Sequence, residues 1–373
     1  YERELLSTYV RRNIYTTSRG DRDRFLDSFV NLQAMSDAEA QTWGPDCHPL
    51  SYFLSIHLEM AAGRVSDKFH DGMGFLTQHA AMTMAFERSL RSVDAAISVP
   101  YWDFTYDAES FLTGSNFTTN DPALLWTLDV WGEDWFGNAS GSKYHTIETG
   151  RWAWQKVAVV DHEDPAIHNA YGLLRAPWNN NPVQFLTRSS TMCGATHEEY
   201  QFDYWQYPTC DVMWALESEK RSLKDFLRVA PYSPHGSIHA LIGGTFECGG
   251  EFDRLEATLG LNSTTANRFR SVVFNGLKDM FRSGYLEMPK DCAPETSFKD
   301  CAASCKNLDT YVAENNTAML EEYLGLVDFW GLLSDRSFDD ELRVLLQAED
   351  NSGRKSFQSA RSRYTRRSFT TTH

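Results

Sequence analysis

Read for the period of its apolar positions, the chain divides into helical stretches and long aperiodic ones. Residues 2–13 (ERELLSTYVRRN) and 21–35 (DRDRFLDSFVNLQAM) space their apolar side chains as amphipathic helices do, with Asp21 placed to cap the second. Ser36-Asp37-Ala38-Glu39 has the form of a capping box and predicts a short helical turn. Residues 51–62 (SYFLSIHLEMAA) predict an apolar helix with His57 at its middle. After a polar loop ending in Phe69-His70-Asp71-Gly72, a helix over 75–91 puts Phe75, His79, Met82 and Phe86 on one face, with Glu87 and Arg88 beyond. Pro100 breaks the chain before Tyr101-Trp102-Asp103.

The next hundred residues lose that period. Residues 107–210 are rich in Gly, Asn, Pro and Trp and predict long loops with a few turns, a length that is usually functional or cross-linked. Residues 210–229 predict a helix with a charged middle. Pro231 and Pro234 bound a turn, and Pro234 holds a favoured helix-start position before His235. Gly243-Gly244 ends that short helix. Residues 264–282, 317–333 and 338–349 predict three more helices. The pattern as a whole is mainly α, without internal repeats.

Composition sharpens this picture in two ways. The 373 residues suffice for one large domain with an appendage or for two domains, and 11 Trp, 16 Tyr and 23 Phe make the available core strongly aromatic. The formal charge of −16 is uneven: residues 351–373 hold six Lys or Arg and no acid, leaving 29 basic against 51 acidic residues in the body. Such a body repels nucleic acid, and the tail reads as a solvated, disordered end. Apolar runs are too short to cross a bilayer. No leader is visible at Tyr1, which predicts a processed or trimmed chain.

Seven cysteines (Cys47, Cys193, Cys210, Cys248, Cys292, Cys301, Cys305) accompany sequons at Asn116, Asn138, Asn262 and Asn315. Together they predict a disulfide-containing N-glycoprotein, secreted or in the secretory-pathway lumen. The odd count leaves one thiol free or otherwise engaged, and the spacing does not fix the pairing. No CxxC pair exists, which argues against a zinc ribbon.

Histidines carry the candidate chemistry. His70 and His79 flank a loop and helix start, while His235 and His239 stand at i and i+4, where two rings share one helix face. Several neutral imidazoles without a thiolate suit copper. A lone histidine such as His57 on an apolar face is more often an ordinary core residue, unless other histidines neighbour it in space. Asp161-His162-Glu163-Asp164 and His168 form an acid–histidine cluster, more often ordinary surface charge than a metal site.

With these motifs in view, the chain resembles the type-3 copper proteins: tyrosinases, catechol oxidases and molluscan-type hemocyanins. The first-copper signature of that family corresponds to His70-Asp71-Gly72, Phe75-Leu76-Thr77-Gln78-His79, Phe86-Glu87-Arg88-Ser89-Leu90 and Pro100-Tyr101-Trp102-Asp103. The second corresponds to Pro234-His235-Gly236-Ser237-Ile238-His239-Ala240-Leu241-Ile242-Gly243-Gly244. The resemblance covers roughly residues 45–285 by the usual extent of such domains. It implies an antiparallel four-helix-bundle core with long irregular loops. It also implies His57, with His48 the weaker candidate, as the remaining ligand of the first copper. The chain then divides into a copper domain over 1–290, as the resemblance implies, and, from the cysteine spacing, helical period and charge, a Cys-rich linker over 291–306, a helical extension over 307–350 and a basic tail over 351–373.

Three departures qualify the resemblance. No histidine lies between His239 and His373, and Thr265, in Thr264-Thr265-Ala266-Asn267, aligns with the family's third ligand to the second copper. A threonine hydroxyl is a hard, weak donor beside imidazole. Ala80 stands where an Arg is usual after His79, and Lys68 stands where the family often has a cysteine. The implied activity is oxidation of a phenol, catechol or tyrosyl group by dioxygen, with one or two copper ions held by His57, His70, His79, His235 and His239. The alternative is a catalytically degenerate glycoprotein that uses the fold for structure or assembly with protein partners.

Overall fold

A computed structural model describes residues 9–63, 65–113, 127–138, 145–160, 166–179, 181–188, 209–219, 222–231, 235–243, 257, 278, 281–282, 284, 286–289, 291–297 and 300–301. The described chain is mainly helical. In order come α1 (Arg19–Ala34), α2 (Asp37–Thr42), α3 (Leu50–Ala61), α4 (Gly74–Val93), α5 (Phe104–Thr113), a 3-10 turn at Asp129–Trp131, α6 (Cys210–Glu219), α7 (Leu223–Val229) and α8 (His235–Gly243). Helix α1 packs on α3 and α4, and α3 packs on α4.

Helix α1 forms where its apolar spacing predicts, but its cap is Ser18 rather than Asp21. The Ser18 hydroxyl accepts the Asp21 N–H, and Asp21 lies inside the first turn, where its charge favours the helix N-terminus. The Ser36 capping box forms in full with Glu39. Phe25, Leu26 and Leu32 of α1 are buried with Leu90 of α4, Ile97, Ile147 and Trp152. Phe29 sits at the centre of this aromatic core, its ring 5.2 Å from Phe86, 5.6 Å from Trp152 and 5.9 Å from Phe25. Leu26, Leu32 and Leu90 are fully excluded from water, and such burial is worth about 1.5–3 kcal/mol each.

Three further sequence expectations need correction. Residues 9–13, the described part of the first predicted helix, are not helical. Asn13 bridges Tyr101 in parallel register, with Tyr101 N–H donating to Arg12 O and Ile14 N–H to Tyr101 O, both within 2.9 Å. Pairing with the segment after α4 overrides local helix propensity here. The helix predicted over 210–229 is two, because Ser222 interrupts it and caps α7 by accepting the Asp225 N–H. A helix also forms at Phe104–Thr113, where loops were expected from residue 107.

Elsewhere the described residues of the middle stretch are turns and loops, as expected. Among the described residues its pairings are isolated bridges: Thr146 with Thr187, Lys156 with Phe185, and Val159 with Leu173. It is fastened to α1 by side chains. Arg151 pairs with Asp23 at 3.0 Å and Asp27 at 2.6 Å, and the Trp152 indole donates to Gln33 at 2.7 Å. Cys292 and Cys301 form a disulfide beside Ala170, Tyr171 and Leu173. Cys47 (buried) and Cys210 (exposed) are free thiols. The predicted helices at 317–333 and 338–349, the basic tail and most of the 264–282 helix lie outside the described residues.

Candidate metal centre

Helix α3 carries His57 at its middle, and α4 carries His79 in its second turn. Between them the chain makes a tight loop that delivers His70. Two glycines allow this loop. Gly72 adopts φ +58°, a conformation that costs glycine no Cβ clash. At Gly74, a Cβ would lie 2.2 Å from the Lys68 carbonyl oxygen, so only hydrogen fits as α4 begins.

The three rings converge. His57 lies 5.0 Å from His70 and 5.6 Å from His79 by ring centroids, and His70 lies 5.4 Å from His79. One ring nitrogen from each lies within 4.8 Å of the others. Phe69 packs on His57 at 4.8 Å and on His79 at 5.2 Å, closing the cluster with an apolar wall.

The structure also brings the second stretch to the first. His235 on α8 lies 5.9 Å from His79 and 4.3 Å from His239, which follows one turn later. Phe75 touches both sides, 5.2 Å from His79 and 5.1 Å from His235. The other candidates are elsewhere or undescribed. His48 stacks on Tyr52 at 4.2 Å and is not part of the cluster. His168 is buried with its Nδ1 at 2.7 Å from Asn169 O. Residues 161–165, Pro234 and Thr265 lie outside the described residues.

Hydrogen bonds set the tautomers. His79 Nδ1–H donates to Phe75 O at 2.7 Å, one turn back in α4. His70 Nδ1–H donates to Asp67 Oδ2 at 2.8 Å. Each leaves Nε2 with a free lone pair, the form that binds a metal. His79 Nε2 and His235 Nε2 are buried and have no hydrogen-bond partner. Buried polar atoms are normally satisfied, so two unpartnered imidazole nitrogens facing one cluster fit a metal ion.

Electrostatics favour the neutral form of His57, His79, His235 and His239. Burial first, then the neighbouring histidines, lower the pKa of His57 to about 3 and that of His235 to about 3. Burial also lowers His79, against the pull of the Phe75 carbonyl. His239 retains exposed surface, yet desolvation by the atoms around it, His70, His79 and the Lys278 ammonium lower it to about 4. An all-imidazole, thiolate-free donor set of this kind suits copper.

Sequence reasoning missed the groups behind the ligands. Asp67 is 1 % exposed and organises the loop. Its Oδ1 accepts the N–H groups of Phe69 and His70 at 3.0 and 2.9 Å, and its Oδ2 accepts the Lys278 ammonium at 2.7 Å besides His70. Burial would raise its pKa, but His70 and Lys278 outweigh that and hold it far below the usual carboxylate range. An Asp three residues before a loop histidine is a turn-forming signal that could have flagged it. Nothing in sequence spacing links Lys278 to it across 211 positions.

Comparison with known proteins agrees with this geometry. Residues 47–253, 207 of the 373, match the family model described as the common central domain of tyrosinase. Part of the chain is similar to grixazone synthase of Streptomyces griseus subsp. griseus, 23% identical over 176 residues, covering 44% of this chain and 48% of that protein. It is also similar to a tyrosinase of Streptomyces antibioticus, 22% identical over 147 residues (39% and 44%), and to one of Streptomyces lincolnensis, 28% over 122 residues (30% and 40%). The chain thus spans about half or less of the length of each of these relatives.

Proposed function

The chain belongs to the tyrosinase central-domain family of type-3 copper proteins, and from that premise we propose that it binds copper at His57, His70 and His79 and oxidises phenols or catechols with dioxygen. The observation that carries this reading is the convergence of those three rings, with His79 facing His235 across 5.9 Å. His235 and His239 form the other half of the site. The residues present fit the ion through the fixed tautomers of His70 and His79 and the unpartnered Nε2 atoms of His79 and His235.

Two copper ions held there would together accept the two electrons that a catechol gives up, with two protons, on becoming a quinone, and two such oxidations would reduce one dioxygen to water. The chain's own residues do the rest. Phe69 and Phe75 exclude water from between the rings, and Asp67 and the Phe75 carbonyl hold the His70 and His79 protons away from the metal face. The tyrosinase family, and the name tyrosinase carried by two of these relatives, support a phenolic substrate.

The absence of any histidine between His239 and His373 favours a second reading. In it the chain is a degenerate member that retains the fold, and one copper at most, for a structural or assembly role. Secretion and N-glycans belong to either reading, resting on the sequons and on the Cys292–Cys301 disulfide. One experiment separates the two: copper stoichiometry on the purified protein, with catechol-dependent oxygen uptake on the same sample. Oxidase function expects at least one ion per chain and uptake that a copper chelator abolishes. Copper without uptake leaves the structural reading, and zero copper overturns both the metal and the oxidase assignments.

A further inference from the structure

The first half-site is held from a distant part of the chain. Gly63, Asp67 and Asp71 of the loop before α4 meet two cations at positions 278 and 282, four positions apart in the sequence. Lys278 Nζ lies 2.7 Å from Asp67 Oδ2, the same oxygen that takes the His70 Nδ1–H. Arg282 Nε donates to Gly63 O at 3.1 Å, and its Nη2 lies 3.7 Å from Asp71 Oδ2. Asp71 in turn accepts the Asp67 N–H at 2.9 Å. The two cations therefore close both ends of the loop that presents His70.

We propose that Lys278 is a positioning residue for the first half-site: its ammonium locks the Asp67 carboxylate, which orients the His70 ring toward His57 and His79. Two features make this more than a surface ion pair. Asp67 is almost wholly buried and the Lys278 side chain mostly so, so the pair is little screened. The carboxylate also spends every described contact on the His70 loop and Lys278, so its orientation has no other source among the described residues. Lys278 follows Thr265 by thirteen positions. The stretch that lacks the third histidine thus still serves the first half-site, and the Lys278 charge is felt at His239 as well.

This inference rests on the copper reading, but its test does not depend wholly on it. Copper-free protein labelled with ¹⁵N-histidine reports the His70 Nδ1–H directly. In the wild type that proton should be a slowly exchanging, downfield resonance. In Lys278→Met it should shift upfield and exchange faster, while Lys278→Arg should restore it. Copper affinity, measured by competition with a chelator, should fall about 10–100-fold in Lys278→Met and recover in Lys278→Arg, the range for losing support behind a ligand. Lys278→Gln, which keeps one donor for the carboxylate, takes the place of Lys278→Met if that variant does not fold. An unchanged His70 resonance overturns the proposal. A wild type that takes up no copper overturns the copper reading instead, and the resonance alone then decides the role of Lys278.

Discussion

His79 and His235 face each other across 5.9 Å, yet they are supported very differently. His79 sits in a twenty-residue helix that packs on α1 and α3, and its Nδ1 is fixed by Phe75 O. His70 beside it is fixed by a buried carboxylate, which is fixed by Lys278. His235 opens a nine-residue helix, and its described neighbours are rings: Phe75, His79 and His239. The first half-site has three imidazoles and hydrogen-bonded support behind two of them. Among the described residues, the second has two imidazoles one turn apart. Metal affinity depends on both ligand count and the groups that orient the ligands, so the two halves should hold copper with very different strength.

Alanine at each facing histidine tests that difference most strongly. His79→Ala should weaken the tighter copper by more than about 100-fold, because even lost support around a ligand costs about 10–100-fold. His235→Ala should leave one tightly held ion per chain. Chelator competition on the two variants gives the answer, and equal losses would erase the distinction between the halves.

The next largest effect is a gain. Thr265→His should raise copper stoichiometry by one ion per chain if Thr265 stands where the third ligand is missing. An unchanged stoichiometry, measured by metal analysis after gel filtration, removes that alignment and leaves the second half-site with two ligands.

Gly74→Ala should act on one half only. The added Cβ meets the Lys68 carbonyl oxygen at 2.2 Å, so the loop that delivers His70 must shift. Such overpacking costs about 1–3 kcal/mol, read as a lower Tm, and first-site copper should weaken by severalfold. Loss from both sites would mean that the loop supports the whole centre.

Parts of this contrast were legible from the sequence, for physical reasons. The Ser36 capping box, α3 and α4 were readable because their signals are local: a hydroxyl and a carboxylate three residues apart, and apolar side chains at helical spacing. Motif order carries His70, His79, His235 and His239, whereas His57 was a candidate only through the family resemblance, with His48 the weaker one. Residues 9–13 were misread, since their partner is Tyr101, nearly ninety positions away, and no local pattern encodes that pairing. The break at Ser222 was missed because a serine cap is read easily before a helix and poorly inside a continuous helical pattern. Asp67 and Lys278 escaped because a long-range ion pair leaves no periodicity, and the support behind a ligand is seen only once the chain is folded.

Glu87 offers the smallest effect and the finest cut, because it separates the scaffold under His79 from the site itself. Two turns down α4 from His79, it is buried and accepts Arg11 through both oxygens at 2.9 and 3.3 Å, and the Val99 N–H at 2.9 Å, with Arg91 at 3.4 Å. It thereby ties α4 to the N-terminal segment and to the chain after the helix. Burial would raise its pKa, but Arg11 and the Val99 N–H outweigh this and hold it below the usual value. A carboxylate depressed in the folded state stabilises above its unfolded pKa, about 4.3, and that contribution is lost as pH falls through the folded value. Glu87→Gln should therefore lower stability by about 1–2 kcal/mol at pH 7, near the low end for a charged hydrogen bond because Arg11 is partly in solvent. The gap in Tm between variant and wild type should narrow below about pH 4, and a constant gap from pH 7 to pH 3 would contradict the ion-pair account. Among the described contacts, none of these partners touches the histidine cluster. Copper affinity at the first half-site should therefore stay within about threefold of the wild type, the margin that sets it apart from the roughly 10–100-fold expected for groups directly behind a ligand. A larger loss would show that the first half-site owes its strength to the whole anchored helix, rather than to the carboxylate and carbonyl that hold its rings.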